Sequence, residues 1–473
     1  MRRITGTHVY AYAKCPRLAA LDLHLDRALR REPSPWEEFA ARRGREFEAD
    51  YVRDLGAVQP QYPERDFAAG AQATLALLRE GAPLIHQAVL AHGDRLGLPD
   101  LLRRVDGSSA IGDHHYEVLD VKTSGRARAD QVLQVVFYSR LLADVQGRLP
   151  VHGALVLKDR REERFAVADY RAVGAEVEAE LVRLRAAPEA ARPFRQRGCD
   201  SCHWNHRCLP ELAAARDLSL VQGMSHGARE ILEAHGCRTI DDLAVFVDGG
   251  RLRHALDPAL LRRLRRAAQA ALLGQPLVEP RPHGAALGNR ALGDGALVHL
   301  LGDPFADRVL AIGVQHPLGA DDGIAVELPR SRDAEWPAFR RLLDRVPPQA
   351  VLLHFDHALP RWYEEHAHRQ EAGVGIAARF VELQRRLRAA ALFPAPVFAL
   401  ADFVAHGLGR DPLRAGHPGA AALWAAAGDG DRKLVAKVTT DLHDLAALER
   451  RILAAAPAAQ EQALGSDAGT ATA

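Results

Sequence analysis

An α/β fold is predicted, with a mixed sheet flanked by helices followed by a second α/β domain. Three observations predict it. The chain has 473 residues, more than one ordinary domain and enough for two or three. Short apolar runs alternate with helical spacing up to residue 186 and again after 296. Hydrophobic residues make up 48% of the chain, ample for more than one core. The formal net charge is +1, so no global field draws the protein to nucleic acid, and any polyanion must be held by local clusters. Met1-Arg2-Arg3-Ile4-Thr5-Gly6 lacks the apolar run of a signal peptide, and no stretch is long enough to span a bilayer. The chain therefore reads as cytoplasmic, with no membrane partner.

Residues 7–55 read as helical, with Pro35 at the first turn of a second helix that runs through Gly44 and Phe47. From 83 to 122 the pattern changes to short apolar runs, which read as neighbouring strands. The first is Pro83 to Leu90, the next begins at Asp100, and the third is His115-Tyr116-Glu117-Val118-Leu119-Asp120-Val121-Lys122-Thr123. Period-2 alternation sets Asp120 and Lys122 on one face of that strand and Val121 on the other. Residues 129–145 return to helix, with Val132, Val135, Val136, Leu141 and Leu142 as the buried stripe. A strand at 151–158 and a helix at about 168–186 follow, leading into a cysteine cluster.

From 218 to 274 the chain reads as Leu-, Ala- and Arg-rich helix, with Thr239 as an N-cap and Asp242 at the capping-box position. Residues 275–295 hold several Pro and Gly and read as a linker. The region 296–456 opens with strands at 296–301, 308–315, 323–328 and 350–355, then turns helical. The tail 457–473 is small and polar, the composition of a disordered segment.

Two constellations carry chemistry. Asp100 and Asp120, meeting across strands beside Lys122, suit Mg²⁺ or Mn²⁺ next to a phosphodiester. The carboxylates and the Val121 carbonyl would hold the metal, and Lys122 would polarise the attacking water or the scissile phosphate. Taken alone, Asp-x-Lys reads as well or better as a surface ion pair. The following helix adds Gln134 and Tyr138, four apart on one face and placed to hold a nucleic-acid strand. Arg126 and Arg128 are phosphate contacts or a solvated loop.

The second constellation is cysteine. Of five cysteines, Cys199, Cys202 and Cys208 lie within ten residues as C-x2-C-x5-C, and a reducing cytosol disfavours disulfides. Cys15 is the obvious fourth donor. The set fits tetrahedral zinc, with His203 or His206 also within reach, or a four-cysteine cubane cluster; spacing does not separate them. Cys237 falls outside the pattern and reads as a small buried residue.

Gly97-Leu98-Pro99-Asp100, Asp120-Val121-Lys122-Thr123 and Gln134-Val135-Val136-Phe137-Tyr138 together resemble the RecB-type branch of the PD-(D/E)XK nucleases. The resemblance implies a restriction-endonuclease-like mixed sheet and metal-dependent hydrolysis of DNA, exonucleolytic or specific for single strands or ends. It places the protein in repair, recombination or defence. A helicase is an expected partner, since the chain has no ATPase P-loop of its own. That branch often carries a histidine ligand three residues after a helical glycine; here the position after Gly44 is Phe47. Glu48 is a substitute ligand or a helical salt-bridge residue.

Cys15 with C-x2-C-x5-C is similar to the pattern of iron–sulfur nucleases of the AddB and CRISPR-associated exonuclease type. A [4Fe–4S] cluster on Cys15, Cys199, Cys202 and Cys208, closing a domain over residues 1–215, is what this implies; zinc is the alternative. Residues 216–274 resemble a helix-hairpin-helix element, with Gly236 as the one turn glycine kept. Residues 296–456 resemble an RNase H-like domain, in which His299 and Leu301 stand where the first-strand acids belong. Asp441, Asp444 and His354-Phe355-Asp356 match later motifs, with Asp303 as a replacement ligand. A two-metal site without its first-strand acids is badly impaired, so a degenerate domain is expected. The competing reading is a non-catalytic DNA-binding or adaptor protein that keeps the nuclease fold.

Overall fold

The computed structural model describes residues 2–252, 254–278, 295–303, 305–306, 308–355, 357–370, 375–410 and 430–453. The chain divides into two units, Met1–Pro193 and Phe194–Ala473. The division falls ahead of the C-x2-C-x5-C segment rather than after residue 215.

The strands of unit one are β1 (Ile4–Thr5), β2 (Leu84–His86), β3 (Leu90–His92), β4 (Arg95–Gly97), β5 (Leu101–Ser109), β6 (Gly112–Val121), β7 (His152–Val156) and β8 (Glu162–Ala166). Its helices are α1 (Gly6–Lys14), α2 (Pro16–His24), α3 (Pro35–Val52), α4 (Phe67–Glu80), α5 (Ala129–Gln146) and α6 (Arg171–Ala186). α3 starts where the sequence sets it. The Ser34 hydroxyl accepts from Glu37 N (3.3 Å), the Glu37 carboxylate accepts from Ser34 N (2.7 Å), and Pro35 fills the first turn.

The main sheet runs β2-β5-β6-β7-β8, antiparallel except where β6 and β7 pair in parallel. It is mixed, as expected, and buried on both faces. Tyr116 and Val118 pack against Val135, Val136 and Leu141 of α5. Leu119 and Val121, one residue out of phase, pack against Val52 and Phe47 of α3. Each such fully buried aliphatic or aromatic side chain contributes about 1.5–3 kcal/mol relative to exposure. A one-residue register slip would exchange the two faces, so the β5–β6 register is firmly held. A smaller sheet, β1-β4-β3, sets Thr5 beside Leu96.

The run from Pro83 to Leu90 is not one strand. Gln87 takes φ 50° and its N–H donates to the Asp100 carbonyl (2.8 Å), which ends β2 and starts β3 in the other sheet.

Unit two begins with α7 (Asn205–Ala214), α8 (His226–Ala234), α9 (Ile240–Val245) and α10 (Pro258–Leu273). Their core gathers Leu218, Leu232, Leu243, Leu264 and Cys237. The Thr239–Asp242 capping box forms as the sequence predicts. A sheet in the order β12-β11-β10-β13-β14 follows: β10 (Ala296–Asp303), β11 (Arg308–Gln315), β12 (Ile324–Glu327), β13 (Leu352–His354) and β14 (Phe380–Glu382). β10, β11 and β12 are antiparallel, whereas β13 and β14 extend β10 in parallel. The first four match the expected strands. The segment read as a linker contributes β9 (Leu277–Val278), paired antiparallel with β15 (Ala391–Leu392). Its residues 279–294, the tail 457–473 and Asp356 lie outside the described residues. Among the described residues no helix is long and apolar enough to cross a membrane.

Candidate active site

The register Leu102↔Val118, Leu101↔Leu119 continues one step to set Asp100, just before β5, opposite Asp120 on β6. Both side chains share the sheet face that carries Val118, so they point towards α5. The Asp100 carboxylate accepts from Val121 N–H (2.7 Å). Lys122 Nζ lies 2.5 Å from Asp120 Oδ2, but that oxygen makes no well-directed hydrogen bond. The predicted juxtaposition of Asp100, Asp120 and Lys122 is therefore present. Asp120 is 1% exposed, which separates this pair from an ordinary surface ion pair.

Burial, and then the charge of Asp120, hold the Asp100 carboxyl well above the usual carboxylate range. Burial works against the Lys122 ammonium, but the Asp120 and Asp100 charges outweigh it and raise its pKa. Two carboxylates against one ammonium leave an excess negative charge out of water, which a proton or a cation would relieve.

Gln134 and Tyr138 are adjacent on α5, with Gln134 Nε2 donating to the Tyr138 hydroxyl (3.0 Å). Burial, then the Asp120 charge, push the Tyr138 pKa up, so it stays a phenol. Tyr138 is packed tightly: a Cβ on Gly6 would lie 2.4 Å from its ring, and one on Gly97 2.9 Å. These two glycines are needed for close approach. Tyr138 is 4% exposed and Gln134 half-buried, so of the two only Gln134 has appreciable access to a ligand.

Glu48 is not gathered into this group. Its Oε1 is 3.1 Å from His86 Nε2 and accepts from Gln87 Nε2 at 3.1 Å, and its charge reaches Asp100 only as a minor influence. Phe47 packs in the α3-side core. Among the described residues no three His, Cys, Asp or Glu side chains converge closely enough to hold a metal ion. The cation donors at the centre are thus two carboxylates with the Val121 carbonyl nearby. Arg128 pairs with Asp130 (2.6 Å), while Arg126 is exposed.

Sequence reasoning missed His86 and Gly6. His86 carried a signal, a polar residue inside an apolar run; Gly6 carried none.

None of the five cysteines forms a disulfide. In unit one, Cys15 is the N-cap of α2, with Pro16 after it. In unit two, Cys199, Cys202 and Cys208 lie on a turn-and-helix knuckle anchored by the fully buried Trp204. Backbone N–H groups of Gln196 and Trp204 point at the sulfurs of Cys199 (3.4 Å) and Cys202 (3.5 Å). Such donors are of the kind found around ligating sulfurs, but these three cysteines too do not converge closely enough to hold a metal ion as they stand. Cys237 is buried in a helical core, which pushes its thiol up to about 11.

Further along unit two, His299 Nε2 lies 3.1 Å from Asp441 Oδ2, and Lys437 Nζ donates to Asp441 Oδ1 (2.5 Å). Burial opposes ionisation of Asp441, but His299 and Lys437 overcome it and lower its pKa. Asp444 pairs with Arg410 (3.1 Å). Asp303 Oδ1 accepts from Phe305 N and Ala306 N, a turn-capping role rather than that of a replacement ligand. Leu301 and His354 are buried. No family model matches this chain, and no curated protein matches it.

Proposed function

We propose that unit one is a metal-dependent deoxyribonuclease of the RecB-like PD-(D/E)XK type. One observation carries the reading: the half-buried Asp100 faces the buried Asp120 across the β5–β6 register, with Lys122 2.5 Å from Asp120. A Mg²⁺ or Mn²⁺ ion bound there would supply hydroxide from water near neutral pH. Asp100 and Asp120 would bind it, with the Val121 carbonyl assisting. Lys122 would stabilise charge on the phosphate, and Gln134, braced by Tyr138, would position the strand. The substrate is single-stranded DNA or DNA ends. Duplex DNA would need a helicase partner.

Calorimetric titration with Mn²⁺ tests the site without relying on turnover. Wild type is expected to bind, and Asp120→Asn to bind at least about tenfold more weakly, the cost of one charged ligand. Equal affinities would overturn the assignment. One observation favours the second reading, a non-catalytic DNA-binding adaptor: Glu48 is held by His86 and Gln87, which leaves only two carboxylates.

Cys199, Cys202 and Cys208, with Cys15 as fourth donor on the sequence pattern, are proposed to hold a structural [4Fe–4S] cluster, with zinc as the alternative. The N–H···S contacts support thiolate ligation by Cys199 and Cys202. Residues 296–456 are proposed as a degenerate RNase H-like scaffold. Lys437 and His299 already occupy the cation positions around Asp441, which supports loss of any metal chemistry there.

A further inference from the structure

Unit one holds a cleft of about 640 Å³ that the proposed chemistry does not use. It lies between the start of α1, β4, the α2 exit and the start of α4. We infer that this cleft binds the phosphate-bearing terminal nucleotide of a nucleic-acid strand, Arg3 and Arg27 taking the phosphate and Phe67 the base.

Charge is the first argument. Five arginines against three aspartates line the cleft, an excess of two positive charges. Asp22 pairs with Arg30 (2.6 Å), while Asp26 and Asp66 cap backbone N–H groups of Ala28 and Ala69 (3.0 Å each). Arg2 donates to the carbonyls of Asp22 (2.9 Å) and Leu25 (2.5 Å). Arg3 and Arg27 are exposed on the rim and have no carboxylate partner among the described residues. Two guanidiniums without counter-ions suit a phosphate monoester, whose oxygens accept from both.

Shape is the second argument. The lining also has an apolar part, the half-buried Phe67 and the buried Leu96. An aromatic face beside a basic rim suits a nucleotide better than a bare anion, because the base stacks while the phosphate is paired. The volume lies within the range of small-ligand sites.

Position is the third. Thr5 and Thr7 line the cleft and flank Gly6, and Leu96 adjoins Gly97. Those two glycines are the residues on which Tyr138 packs. The cleft therefore backs onto the segments that pack on Tyr138, and the Asp120 and Asp100 charges act on that tyrosine. The identity of the ligand as a strand end rests on the nuclease reading; the cation-rimmed, aromatic cleft does not.

The test is fluorescence-anisotropy binding to the full chain without divalent cation, so that nothing is cleaved. Oligonucleotides of one sequence would carry a 5′-phosphate, a 3′-phosphate or hydroxyls at both ends. Wild type should bind one phosphorylated end about tenfold tighter than the hydroxyl form. Arg3→Gln/Arg27→Gln should lose that preference and keep the affinity for the hydroxyl form. No end preference in wild type, or a preference that survives the double substitution, would overturn the inference. A mononucleotide binding as tightly as the phosphorylated strand would assign the cleft to free nucleotide and overturn the strand-end identification. Failure of the nuclease reading looks different: end preference present, with no hydrolysis when Mn²⁺ is added.

Discussion

Asp100 and Asp120 are costly residues for a fold to keep. Two carboxylates sit side by side, Asp120 buried and Asp100 half-buried, and only one ammonium, that of Lys122, answers them. Because burial and Asp120 raise the folded pKa of Asp100 above its unfolded value, its contribution to stability is fully present below the unfolded pKa. That contribution is lost as pH rises through the folded pKa. Asp100→Asn removes the loss and can still accept from Val121 N–H. The variant should therefore be more stable than wild type at pH 8 without metal, by roughly 0.5–2 kcal/mol, the usual return on relieving a strained functional site. In thermal melts the gap should narrow as pH falls; a gap independent of pH would contradict the account. The pairing of Asp120 with Lys122 was legible in the sequence because a strand has period 2. The partnership of Glu48 with His86 was not, because it joins residues 38 apart on a helix and an edge strand.

At the scale of elements, α5 is held against β4 and α1 by contacts that only glycine permits. Gly6→Ala would place a methyl 2.4 Å from the Tyr138 ring. It should lower stability by about 1–3 kcal/mol, as over-packed cores do, and a denaturant midpoint unchanged from wild type would contradict this. In unit two, Lys437→Met should cost about 3–5 kcal/mol by leaving Asp441 with His299 alone. The folded pKa of Asp441 is lowered, so its stabilisation is present above the unfolded pKa and lost as pH falls through the folded value. The deficit of the variant should thus be largest near neutral pH and shrink in acid. α5 and β11 were legible because apolar residues recur along most of their length, whereas β12 and β13 are short runs of four and three residues. The split of 83–90 between two sheets was not, since Gln87 takes a left-handed turn without the glycine or asparagine that usually marks one.

At the scale of the whole molecule, an α/β organisation with a five-stranded mixed sheet in each unit followed from the alternation of elements, whereas the point of division between units was not legible. Nothing in composition marks residue 193 as a boundary, because the segment around it is short helical turns and prolines on either side. The three clustered cysteines are proposed as ligands of a metal or cluster. Anaerobically purified protein should contain iron and sulfide and absorb near 400 nm, and Cys202→Ala should lose both; zinc without sulfide would establish the alternative. The central claim is that Asp100, Asp120 and Lys122 hydrolyse a phosphodiester. Its most direct test is an anaerobic assay on end-labelled single-stranded DNA with Mn²⁺, comparing wild type with Lys122→Ala, both with the cluster intact. The account predicts Mn²⁺-dependent cleavage by wild type and a loss of about a hundredfold or more in the variant, the scale of removing one charge-stabilising group. Equal inertness of the two proteins, or equal activity, would contradict it.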